Sequence, residues 1–155
     1  MRSIKFVLSK ENSTGWDAAA CLTGAYLAEN TKANQLLDRL PNDFVGEKRA
    51  LCQSLFLGAL RYGHQIKEAL KPLVRKGCSH EVEAIFLIAG FEILHADDEK
   101  HPKIVHHAVE HGKFLVNSGE LGFLNAVLRK LPSALKQITP TQSPAAYYSH
   151  PDWLA

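Results

Sequence analysis

Between Trp16 and Ile138 apolar residues recur at three- and four-residue spacing, and no run alternates strictly between apolar and polar. That period belongs to amphipathic helices, and it leaves no segment that reads as a half-buried strand, so the expectation is an all-α chain of about seven helices. The stretch Ala84-Ile85-Phe86-Leu87-Ile88-Ala89-Gly90-Phe91 is apolar around its whole circumference. It is expected to be the most buried element, while the segment Leu51–Tyr62, in which Phe56, Leu57 and Leu60 spread apolar character round most of the wheel, is expected to be central to the bundle.

The spacing predicts a first helix over Ser13–Glu29, capped by Ser13 or Thr14, with Trp16, Ala20, Thr23 and Leu27 on one face. A short second helix covers Lys32–Leu40 and stops at Pro41. A third follows Asn42 or Asp43 as its cap, with Leu51, Leu55, Gly58 and Tyr62 inward, and a fourth spans Gln65–Lys76, ended by Gly77. The fifth covers Glu81–His95, the sixth starts at Pro102, and the seventh runs from Gly119 to about Ile138 with Leu124, Val127, Leu128, Leu131 and Leu135 inward. Pro72 and Pro132 are positions where a kink is expected.

At 155 residues the chain suits one domain with a sizeable core. Residues 1–138 read as that domain, and residues 139–155 as a linker and the start of a lead-in to a further domain, because Tyr147-Tyr148-Ser149-His150-Pro151-Asp152-Trp153-Leu154 combines aromatics with a helix-starting Pro-Asp pair. No apolar run approaches the ~20 residues needed to span a bilayer. A cytoplasmic location without membrane association is expected. Cys21, Cys52 and Cys78 are odd in number and form no C-x-x-C pair, which suits reduced, packed thiols.

Charge is segregated along the chain. From Asp43 to Lys76 seven basic residues face three acidic ones, Glu81–Glu99 holds six acidic residues and no Lys or Arg, and Lys100–Ile138 returns to six basic against two acidic. Basic and acidic surfaces are therefore expected to be separate, with a polyanion or an acidic partner on the basic side. The candidate contacts are Lys48, Arg49 and Arg61 on the third helix, Lys67, Lys71 and Arg75 on the fourth, and Arg129 and Lys130 on the seventh. Arg49, Gln53, Leu57 and Arg61 follow one another at i, i+4 steps and are expected to point the two guanidinium groups the same way.

His95, His101, His106, His107 and His111 fall close together, and His107 and His111 have the i, i+4 spacing of a zinc-binding pair. The general base of an H-E-x-x-H site is missing, since Ala108, Val109 and Glu110 lie between them, so this segment reads as a solvated polar face. No phosphate-binding glycine motif and no nucleophile elbow occur. Catalysis within this chain is not expected, nor is a metal or a cofactor.

Three strings carry a resemblance: Leu57-Gly58-Ala59-Leu60-Arg61, Phe123-Leu124-Asn125-Ala126-Val127-Leu128-Arg129, and the closing Tyr148–Leu154. With Leu87-Ile88-Ala89-Gly90-Phe91-Glu92-Ile93-Leu94 and Ala108-Val109-Glu110 between them, their order resembles the amino-terminal domain of RsmB (Sun/Fmu) type ribosomal RNA cytosine-5 methyltransferases, a domain similar to the antitermination factor NusB. The resemblance implies a NusB-like fold in two packed subbundles. It also implies a non-catalytic module that recognises ribosomal RNA for a methyltransferase whose methyl-donor site lies in the following domain. The alternative is an antitermination adaptor or protein-docking module, its partner a ribosomal protein or its own methyltransferase half, and a homodimer in the NusB manner is a third arrangement. Where NusB-like RNA binders commonly carry an Arg-rich amino-terminal segment, Lys10–Trp16 has one basic residue.

Overall fold

A computed structural model describes residues 14–138; the closing Tyr148–Leu154 string lies outside them. Among the described residues there are seven α-helices and no strand: α1 Gly15–Ala28, α2 Ala33–Leu37, α3 Glu47–Arg61, α4 Gly63–Leu70, α5 His80–Leu94, α6 His101–Gly112 and α7 Ser118–Lys136, with a short 3-10 turn, Asp98–Lys100, before α6.

Local chemistry explains most of the boundaries. Thr14 and Asp17 form a reciprocal capping box at the start of α1, and Asn117 and Glu120 form another at the start of α7. The Ser79 hydroxyl accepts from the Val82 amide at the start of α5, where Glu81 and Glu83 also suit the positive end of the helix dipole. Pro102 occupies the first turn of α6, where its missing N–H costs nothing.

Three boundaries depart from the sequence reading. The second helix ends at Leu37, short of the expected Leu40. The third helix begins at Glu47 behind Gly46, whose φ of 70° suits glycine, and not behind Asn42 or Asp43. The fourth ends at Leu70, before Pro72, and the chain passes through turns to Gly77. Lys71 keeps helical geometry, but Pro72 has no N–H to continue the helical hydrogen bonds, so the helix terminates where a kink was expected. By contrast α7 runs through Pro132 as one element.

Helix α5 is the hub of the packing. Val82, Ala84 to Gly90 and Ile93 are all buried, and α5 lies against α1 and α3 on one side and against α6 and α7 on the other, with α4 bridging α5 and α7. The expected subbundles are thus two groups of helices sharing one member. Gly58 of α3 permits a close approach: the ring of Phe91 lies where its β-carbon would stand, so a larger residue forces that ring or the helix to shift. The core face of α3 is turned slightly from expectation, with Cys52, Leu55, Phe56 and Ala59 buried and Leu51 exposed. In α7 the five predicted core residues Leu124, Val127, Leu128, Leu131 and Leu135 are all buried.

Candidate nucleic-acid interface

The polar groups of the bundle fall into two classes, those engaged within the fold and those left outward. The inner class centres on Trp16, which is buried where α1, α5 and α6 meet. Its indole N–H donates to Glu92 Oε1 at 2.9 Å, and the rings of His107 and His111 both lie 5.5 Å from it, centroid to centroid. His111 Nδ1 donates to Asp17 Oδ1 at 2.8 Å. The other oxygen of Asp17 accepts from the amide and the hydroxyl of Thr14, both at 3.0 Å.

Burial raises the Glu92 pKa above the usual carboxylate value, with the Trp16 hydrogen bond opposing it. Burial also lowers the pKa of His107, helped by His111 stacked 4.1 Å away. The face that the sequence presents as solvated is therefore half engaged. His106 and His107 are both exposed, but the His107 ring and half-buried His111 pack against Trp16, and His101 is buried with Nε2 donating to the carbonyls of Ile93 and Ala96 at 3.0 and 3.1 Å. Among the described residues no group of three His, Cys, Asp or Glu side chains has the arrangement to hold a metal ion. An open depression of about 480 Å³ on the outside of α6, lined by Pro102, Lys103, His106, His107, Glu110 and His111, mixes both signs of charge.

The thiols differ in access, Cys52 being buried, Cys21 half-buried and Cys78 exposed. Burial pushes Cys21 and Cys52 up to about 12, and desolvation by its neighbours, then Glu83 and Glu120, pushes Cys78 up to about 11. None supplies a thiolate at neutral pH.

The outer class contains the predicted cations, and the fold sorts them. Lys71 lies just past α4 and pairs with Glu68 at 2.7 Å, and Lys67 pairs with Glu83 of α5 at 3.7 Å. Arg75 stands in the turns after Leu70, so Lys67, Lys71 and Arg75 do not share the one helix expected to carry them. Lys48 and Arg61 are exposed, Arg49 is half-buried, and the Arg61 guanidinium lies 5.8 Å from the Tyr62 ring centroid.

Arg49 and Arg61 do not share a direction. Each i, i+4 step advances roughly 40° beyond a full turn, so three steps separate them by about 120° around α3 and about 18 Å along it. Arg129 and Lys130 are exposed on α7. Among the described residues Lys48, Arg49, Arg61, Arg75, Arg129 and Lys130 join no ion pair.

The acidic block is more engaged than its composition suggests. Glu83 holds Lys67, Glu92 holds Trp16, and Asp98 accepts from Lys136. Sequence reasoning missed this hub because its two long-range hydrogen bonds join residues 76 and 94 positions apart. The one local signal was Thr14-x-x-Asp17, a capping pattern that identifies Asp17 as a structural carboxylate.

The described residues are helical, without a strand, and comparison with known families agrees: residues 18–132 match the NusB family. The chain belongs to the NusB family. No curated protein and no solved structure matches it. NusB domains are all-α, RNA-binding modules of the antitermination type, and the domain alone is non-catalytic. Within the described part of this NusB domain no helix is long and apolar enough to cross a membrane.

Proposed function

We propose that this NusB-family domain is a non-catalytic RNA-binding module that helps a ribosomal RNA cytosine-5 methyltransferase engage its substrate. The observation that carries the RNA part is the set of six cations, Lys48, Arg49, Arg61, Arg75, Arg129 and Lys130, that pair with no carboxylate among the described residues. Cations without internal partners are available to phosphates, and counterion release makes such binding strongly salt-dependent. The methyltransferase association rests on the strings ending in Arg61 and Arg129 and on the His150-Pro151-Asp152-Trp153-Leu154 ending, which resemble that enzyme family.

The rival reading, a docking module for a basic ribosomal protein, draws on the Glu81–Glu99 block. Engagement of Glu83, Glu92 and Asp98 by Lys67, Trp16 and Lys136 weakens that support.

The test is a filter-binding titration of ribosomal RNA fragments across a salt series. Replacing Lys48, Arg61, Arg129 and Lys130 together by Gln should weaken binding and flatten its salt dependence. An unchanged affinity and slope would remove this surface from the interface. Ribonuclease treatment before a pull-down of ribosomal proteins separates the two readings, because a docking module keeps its protein partner after RNA digestion.

A further inference from the structure

His107 and His111 stand one turn apart on α6, with their rings 4.1 Å apart, centroid to centroid, and inclined by 29°. Two imidazoles at i, i+4 have the spacing with which a helix offers two ligands to one metal ion. The glutamate that this pair lacks is the general base of a hydrolytic site, so its absence excludes that chemistry and leaves coordination untouched. The pair borders the open depression of about 480 Å³ outside α6, which leaves room for water in the remaining coordination positions. Glu110 stands between the two in sequence, but Lys113 holds its carboxylate at 3.0 Å. Among the described residues the protein supplies two donors and no third.

We propose that His107 and His111 form a two-histidine site for a late first-row divalent cation, copper above nickel or zinc, with water completing the coordination. The inference goes beyond the RNA-binding reading and stands without it. His111 donates from Nδ1 to Asp17 Oδ1 at 2.8 Å, which fixes the tautomer whose lone pair is on Nε2. A carboxylate in that position orients a metal-binding histidine and strengthens its other nitrogen as a donor. Trp16 packs against both rings, at 76° to His107 and 48° to His111, and limits their rotation before an ion arrives. Imidazole suits copper, nickel and zinc, whereas calcium and magnesium take oxygen ligands and find too few here. An ion that binds only the folded pair stabilises the fold by mass action, and the Asp17 hydrogen bond carries that effect from α6 to the start of α1.

The test titrates copper(II) chloride into the full chain carrying Trp153→Phe, which leaves Trp16 as its one tryptophan. Trp16 lies 5.5 Å from each imidazole, so a copper ion bound there quenches its fluorescence. The proposal expects a quench that saturates at one copper per chain, is reversed by competing nickel or zinc, and is untouched by magnesium. Asp17→Asn should weaken copper binding about tenfold, and His107→Gln, which removes a ligand outright, should weaken it by more. His106→Gln changes the neighbouring exposed ring and should leave the affinity unaltered. Copper should also raise the Tm of the wild-type chain and not that of the His107→Gln protein.

His107→Gln alters an exposed side chain, so an unchanged copper affinity there overturns the site even if Asp17→Asn folds poorly. An equal loss in His106→Gln would show copper held by surface imidazoles at large, and the proposal fails. It fails as well if magnesium competes the quench away, since the ion is then drawn by charge alone.

Discussion

The Trp16 hub and the outward face of α7 both present groups that carry charge, and they treat those groups in opposite ways. At the hub the indole N–H has Glu92, the His111 ring has Asp17, and Asp17 also has Thr14. On α7, Arg129 and Lys130 project outward with no partner among the described residues. The difference separates charge that builds the fold from charge available to a ligand. Residue type alone does not make that separation, because Lys67 and Lys71 have the composition of the second class and the pairing of the first.

The largest effect should come from breaking the hub. Trp16→Ala empties a site where three helices meet and leaves Glu92 without its donor, which should cost about 3–5 kcal/mol in chemical denaturation. RNA affinity per folded molecule should be unaffected, and a specific loss of affinity would erase the distinction between the two regions.

Reversing the α7 cations, Arg129→Glu with Lys130→Glu, should do the converse: RNA binding falls tenfold or more, on the order expected for lost phosphate contacts. Thermal stability should stay within about 0.5 kcal/mol, as for exposed side chains without packing partners.

A smaller effect is expected from pH. The folded pKa of His107 lies below its unfolded value of roughly 6.5, so the unfolded chain binds more protons in that range, and the contribution of His107 to stability falls as pH drops through 6.5 toward the folded value. Glu92 acts with the opposite sign: its folded pKa is raised, and acidification from above that value toward the unfolded one relieves its burial. Asp17, His106 and His111 also bear on His107. Comparing wild type with His107→Gln isolates one contribution, and the wild type should lose stability relative to the variant between pH 7.5 and 5.5. A parallel pair of curves would show that His107 does not titrate into the fold.

The smallest effect tests the intermediate case. Glu83→Gln frees Lys67 and should raise RNA affinity by no more than about twofold, as expected for an exposed pair. Lys67→Gln with Lys71→Gln in the wild-type background should lower affinity by no more than about twofold. A tenfold loss would place α4 in the interface despite its carboxylates.

The helices were legible because apolar periodicity and caps are local. The inward residues of α7 follow from spacing alone, and the Ala84–Phe91 run marks the most buried helix; the central place expected of Leu51–Tyr62 fell to that helix instead, since Leu51 and Leu57 are exposed. The end of α4 was misplaced because Pro72 was weighed as a kink when the donor it lacks ends the helix. Arg49 and Arg61 were given one face because repeated i, i+4 steps look straight on paper but drift around a real helix. The hub was out of reach, since neither Trp16–Glu92 nor Asp17–His111 has any local trace. The sorting of cations was half legible: Glu68–Lys71 is an i, i+3 pair readable from spacing, whereas Glu83–Lys67 depends on how α4 lies against α5.

Asp17 uses both of its oxygens, one to start its own helix and one to hold a histidine 94 positions away. Nucleation of α1 is thereby tied to the arrival of α6, so a local event is stabilised only once a distant part of the chain is in place. A chain built this way should not open α1 alone. Amide protons at the start of α1 and through the middle of α6 are expected to exchange with solvent at one common rate, as members of a single cooperative unit, and Asp17→Asn should split them into two.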